Sequence, residues 1–247
     1  MHNVFMNSGF LIGFLALFLC LLAHSISVHQ GAIQEPIIEY RPSAMIYSFQ
    51  GIFFGGYIQL FPLVACLPGY VLRRRATYTE ENIQNRKTRN HNILVYFIAG
   101  ALVCTLPYTI HTIFWNIVAI PVNPALYPEH EMSFWGIYND LYSQSGGFWM
   151  YLIIAFGMIL LGGFYSLFYL VVSEFMRASA SALIIPTLFY HVWLRFGVLL
   201  EEYGMPLSPY LISNDAITVE EIIVSVIIHF IMISLLIFVY HKKRSVL

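Results

Sequence analysis

Polar residues along this chain gather into short clusters. Between them, apolar residues dominate residues 10–25, 45–66, 93–120, 147–172, 180–200 and 221–240. A run of roughly 20 apolar residues is long enough to carry a helix across the hydrocarbon of a bilayer. The runs are continuous rather than alternating, which argues against the strands of an outer-membrane barrel, where facing changes with every residue. The pattern predicts an all-α polytopic membrane protein with six transmembrane helices, forming a single domain over residues 1–247. The third run is long enough to be tilted or broken, and the last opens on an acidic boundary residue, Glu221.

Composition agrees, since 59% hydrophobic and 10% charged residues lie far outside the range of soluble domains. Charge adds the orientation. Half of the positive charge, Arg73, Arg74, Arg75, Arg86, Lys87 and Arg89, falls between the second and third runs, interrupted by Glu80 and Glu81. Lys and Arg are retained on the cytoplasmic side while acidic residues contribute little, so this segment is expected inside, with Arg177 and the tail Lys242, Lys243 and Arg244. The segments with Glu35, Glu39 and Arg41, with Glu129, Glu131 and Asp140, and with Glu201, Glu202, Asp215, Glu220 and Glu221 have no basic excess and are expected outside. Six spans satisfy all of these segments and place both termini in the cytoplasm. No Lys or Arg precedes the first run and no small-residue cleavage site cleanly follows it, so a retained helix is expected rather than a signal peptide. Cys20, Cys66 and Cys104 fall inside runs, where they read as small buried hydrophobes rather than a disulfide framework.

Ionisable and polar residues inside spans are the natural functional candidates, because burying them is costly without a partner or water. In the third run Cys104, Tyr108, His111 and Trp115 share one helical face, with Thr105 and Pro107 beside them. That stripe either lines a translocation path or forms an interhelical packing face with a satisfied histidine. His191 and Arg195, four residues apart in the fifth run, would repel if both were charged, so His191 is expected neutral, with Arg195 reaching toward Glu201 or Glu202. Glu174 and Arg177 are expected to pair with each other, and the lone His229 to hydrogen-bond within the core. Gly51 and Gly55 form a G-x-x-x-G suited to close helix packing, and Gly157, Gly162 and Gly163 suggest a second close contact. Metal binding by His111, His191 and His229 lacks the local spacings that zinc enzymes use, so no metal is expected. No phosphate-cradling G-x-x-x-x-G-K-[ST] loop is present; if ATP drives this protein, another subunit hydrolyses it.

Three features stand in order: the run Phe61-Pro62-Leu63-Val64-Ala65-Cys66-Leu67-Pro68-Gly69, read as a Pro-punctuated helix end, then Tyr78-Thr79-Glu80-Glu81, then Arg86-Lys87-Thr88-Arg89. Together with residues 168–176 and 178–190, which include Pro186, this arrangement resembles the permease subunits of ABC-2 type transporters, in particular small six-span permeases of low-GC Gram-positive bacteria. One departure is that such permeases usually begin with a basic amphipathic segment, whereas a few uncharged residues precede Phe10 here. The resemblance implies a bacterial plasma-membrane permease that works as a dimer with a second copy or a paralogue. It implies a cytosolic ABC ATPase partner that binds the ATP, and no cofactor on this chain. It also implies that the segment after the second span docks into that ATPase as a coupling helix, with Tyr78, Glu80, Glu81 and Arg86 as its contacts. Thr77 and Thr79 suit the cap of such a helix, with Glu80 and Glu81 in its first turn against the helix dipole. The basic residues are accounted for by topology and anionic lipid headgroups, and nucleic acid is not an expected partner. Tyr108, His111, Trp115 and His191 are the candidates for the path of an exported or extracted substrate, an amphipathic peptide, lantibiotic or lipid-like compound. The alternatives are a non-transporting immunity protein that binds a peptide toxin through its external loops, and an intramembrane enzyme. The second is disfavoured because Arg86 stands one residue too far from Glu80-Glu81 for the Glu-Glu and Arg signature of membrane-embedded CAAX-type proteases.

Overall fold

The computed structural model describes residues 7–34, 52, 57–76, 86–118, 148–176, 180–202 and 219–245. Among these residues the chain is helical, in six elements: α1 (Ser8–Gln34), α2 (Tyr57–Ala76), α3 (Arg86–Val118), α4 (Phe148–Met176), α5 (Ser181–Glu202) and α6 (Val219–Ser245). Long apolar segments become helices because a helix satisfies its backbone donors and acceptors internally, which lipid cannot do for them. Four are long and apolar enough to cross a membrane: α1, α3, α4 and α6.

Side-chain contacts fix the direction of each helix. Asn7 donates through Nδ2 to the Pro68 carbonyl at 2.9 Å, bringing the start of α1 to the end of α2. Tyr57 at the start of α2 donates to the carbonyl of Cys104, far along α3, while Gly69 near the end of α2 packs on Tyr96 near the start of α3. Gly100 meets Gly162 and Tyr108 stacks on Tyr151, so α3 and α4 run antiparallel. Along α2 and α4 the residue numbers rise together, from Tyr57 with Met158, through Cys66 with Tyr165 and Tyr70 with Tyr169, to Arg73 with Glu174. That pair is therefore parallel. So are α4 and α6, where His229 meets Phe164 and Lys243 sits over the ring of Phe175. After a short turn closed by Leu183 N–H to Ala180 O, α5 doubles back along α4, pairing Tyr190 with Tyr165 and Phe189 with Phe164. The six helices thus alternate in direction. One end of the bundle collects the starts of α1, α3 and α5 and the ends of α2, α4 and α6. Arg73, Arg74, Arg86, Lys87, Arg89, Lys242 and Lys243 all belong to helix segments at that basic end.

α4 is the central element, with an unbroken buried stretch from Leu160 to Leu167 and packing against α2, α3, α5 and α6. Its tightest seam is with α3. A Cβ on Gly100 would strike the carbonyl of Gly162 and the Cβ of Ser166, so the two backbones touch because neither glycine carries a side chain. The sequence prediction of a close contact at Gly162 and Gly163 corresponds to this seam, with the Phe97 ring filling the space beside Gly163. Outward, Leu11, Leu15 and Leu19 of α1 and Ile223, Ile227, Phe230 and Phe238 of α6 form exposed apolar faces of the kind lipid covers.

Two boundaries differ from the sequence reading. The Pro62 to Gly69 run does not end a helix: α2 continues through both prolines to Ala76. Each proline removes only one donor, and Phe61, Pro62, Val64, Ala65, Cys66, Pro68 and Gly69 are all buried, so packing outweighs the lost hydrogen bonds. Likewise, Arg86, Lys87 and Arg89 form the first turn of α3 rather than a loop, although cations are disfavoured at that end of the helix dipole. Gly51 and Gly55 lie outside the described residues.

Candidate functional site

The polar stripe of α3 faces inward: Cys104, Tyr108, His111 and Trp115 are all buried. It divides between two neighbourhoods. Cys104 and Tyr108 face α2 and α4, where the Tyr57 hydroxyl donates to the Cys104 carbonyl and the Tyr108 ring stacks on Tyr151 with centroids 5.5 Å apart. Thr109, one residue on, is 2.9 Å from the Tyr151 hydroxyl.

His111 and Trp115 instead meet α1. The Trp115 Nε1–H donates to His111 Nε2 at 3.0 Å, and Ser25 Oγ lies 2.7 Å from the same nitrogen. An indole nitrogen can only donate, so Nε2 is the acceptor there and His111 is a neutral imidazole with its proton on Nδ1. The Ser25 hydroxyl also donates to the Leu21 carbonyl one turn back, at 2.7 Å. A serine and an imidazole at this distance can act as nucleophile and base. Here, however, the hydroxyl is fully buried and directed at its own helix, which makes the group a polar link between α1 and α3. The Phe18 ring packs edge-on against His111 and closes the apolar side.

His191 is not part of this group. It is exposed on α5 beside the ring of Tyr190, and no hydrogen bond or ring contact joins it to His111 among the described residues. Arg195 is exposed as well. His229 is buried in α6, its Nδ1 2.7 Å from the Ser225 carbonyl and its ring edge-on to Phe164, as expected of a hydrogen-bonded core histidine. Among the described residues no group of three His, Cys, Asp or Glu side chains is placed to hold a metal ion. Of the expected coupling residues, Tyr78, Glu80 and Glu81 lie outside the described residues, and Arg86 opens α3.

At the basic end the structure assembles a second charged group that the sequence did not predict. Arg73 Nη1 of α2 pairs with Glu174 Oε1 of α4 at 2.7 Å, with side chains 13% and 3% exposed. The expected partner of Glu174, Arg177, lies outside the described residues. Tyrosines surround the pair. Tyr96 and Tyr169 flank Gly69, where a Cβ would come within 2.9 Å of the Tyr96 ring, and Tyr70 packs edge-on to Tyr169. Glu174 and Tyr169 are drawn to the α2 side of α4 by the parallel register of the two helices, information that no local sequence window contains. No family model, curated protein or solved structure matches this chain.

Proposed function

We propose that this chain is the membrane-spanning permease subunit of an ABC-2 type transporter in a bacterial plasma membrane. It exports or extracts an amphipathic substrate with ATP hydrolysed by a separate cytosolic subunit, and works beside a second copy or a paralogue. In this reading all six helices span and the basic end of the bundle faces the cytoplasm, with both termini.

The observation that carries the proposal is the way the segment at residues 77–85 is mounted. It follows α2 just beyond the Arg73–Glu174 pair and leads into α3, so both of its anchors belong to the bundle at the basic end. A partner gripping such a segment moves core helices rather than a loose loop. The direction of the helices supports the orientation, since their alternation gathers Arg73, Arg74, Arg86, Lys87, Arg89, Lys242 and Lys243 at one end.

The test is affinity purification in mild detergent with identification of bound subunits. An ABC ATPase is expected to co-purify with the parent chain, and Glu80→Lys/Glu81→Lys is expected to abolish that association while leaving membrane insertion intact. A chain that purifies without an ATPase, or a charge-reversed chain that still binds one, overturns the reading.

A further inference from the structure

α2 contains its own weak point. Pro68 has no N–H to give to the carbonyl of Val64 and its ring crowds that carbonyl, while Gly69 follows with no side chain to restrict the backbone. Proline is where helices bend. Beyond Gly69 about two turns remain, ending at Ala76, and they carry Tyr70, Arg73 and Arg74. On the near side of this point α2 is fixed by Tyr57 to the Cys104 carbonyl and by Cys66 Sγ to the Tyr165 carbonyl at 3.3 Å. On the far side Arg73 pairs with Glu174 of α4 at 2.7 Å.

We propose that α2 hinges at Pro68–Gly69 and that the Arg73–Glu174 pair is the clamp holding the last two turns against α4. An apolar contact at this position would be exchangeable, because lipid and neighbouring helices offer equivalent apolar surface. A guanidinium and a carboxylate largely withdrawn from solvent are held by charge as well as by packing, and separating them costs more than parting two apolar groups. Tyr169, whose ring packs edge-on to Tyr70 of these two turns, is fully buried with a hydroxyl that has no hydrogen-bond partner among the described residues, and offers an acceptor to a released guanidinium. Whatever engages the chain after Ala76 acts on the bundle through these two turns.

The inference stands apart from the transport reading, because its test needs neither an ATPase nor a substrate. Leu72, half-buried on the far side of the hinge, is replaced in Leu72→Cys, and the chain in lipid nanodiscs is treated with a maleimide and mapped by mass spectrometry. Buried Cys66 and Cys104 serve as internal references. Adding Glu174→Gln is expected to raise labelling of the introduced thiol by about tenfold or more, since local opening sets the labelling rate, with Cys66 and Cys104 still protected. Adding Pro68→Ala, which restores the missing donor, is expected to return labelling toward the parent. If Glu174→Gln fails to fold, Arg73→Met/Glu174→Met, which leaves no buried charge, replaces it with the same expectation. Unchanged labelling, a parallel rise at Cys66 and Cys104, or no recovery with Pro68→Ala overturns the proposal.

Discussion

At the residue scale several buried polar groups of this bundle are linked within or between helices, and His111 shows how much each link carries. Its Nε2 receives the Trp115 indole proton and lies beside Ser25, so two substitutions at the same node have different consequences. Ser25→Ala removes one neutral contact and leaves the Trp115 bond intact, and is expected to cost about 1 kcal/mol. His111→Leu removes the acceptor that Trp115 uses inside the bundle and is expected to cost about 2–3 kcal/mol, the range for stranding a buried polar group. Thermal unfolding in detergent checks the order, and a shift in Trp115 emission, absent in Trp115→Phe, should accompany only the second. Equal losses would mean that Ser25 rather than Trp115 is the main partner of the ring. The sequence pointed to His111 and Trp115 because four-residue spacing on a helix is visible locally. Ser25 was invisible for the opposite reason: it is 86 residues away on another helix, and nothing in its own neighbourhood separates it from a serine that bonds back to its own backbone.

At the scale of elements, the seam between α3 and α4 depends on two glycines in direct backbone contact. Gly100→Val is expected to push the helices apart and cost about 3 kcal/mol or more, at or beyond the usual penalty for overpacking, because the obstacle includes the carbonyl of Gly162 rather than a side chain that can turn away. The same substitution at Gly13 of α1, where the nearest atoms are side-chain methyls of Val64 and Val103, is expected to be milder. Thermal unfolding of the two variants side by side tests this, and equal effects would place the seam elsewhere. α4, α5 and α6 lie close to their predicted runs because length and continuous apolarity are local properties, while α1 runs on to Gln34 and α3 starts early at Arg86. The second helix was misjudged at its end, where Pro62, Pro68 and Gly69 read as punctuation. Proline stops a helix when water offers its backbone an alternative, and a buried bundle offers none. Local logic offered Glu174 only the nearby Arg177, which lies outside the described residues; its contact with Arg73 comes from a register between parallel helices that only the assembled bundle defines.

At the scale of the molecule, alternating helices and a single basic end predict which face meets the cytoplasm. Arg74 and Lys242 are exposed at that end and Val219 is exposed at the other. An impermeant thiol reagent applied to intact cells is expected to label Val219→Cys and to spare Arg74→Cys and Lys242→Cys until the membrane is opened. The reverse pattern would invert the whole topology. The exposed apolar faces of α1 and α6 leave room on the outside of the bundle for lipid, and the Arg73–Glu174 pair lies between helices. Chain order gives the Arg73–Glu174 pair one more consequence, this time during synthesis. Glu174 leaves the ribosome about a hundred residues after Arg73, a delay of roughly 5–20 s at about 5–20 residues per second. Through that interval α2 carries Arg73 without the carboxylate it meets in the finished bundle. The order of synthesis makes this contact one of the later ones to close, after α1, α2 and α3 have already been made.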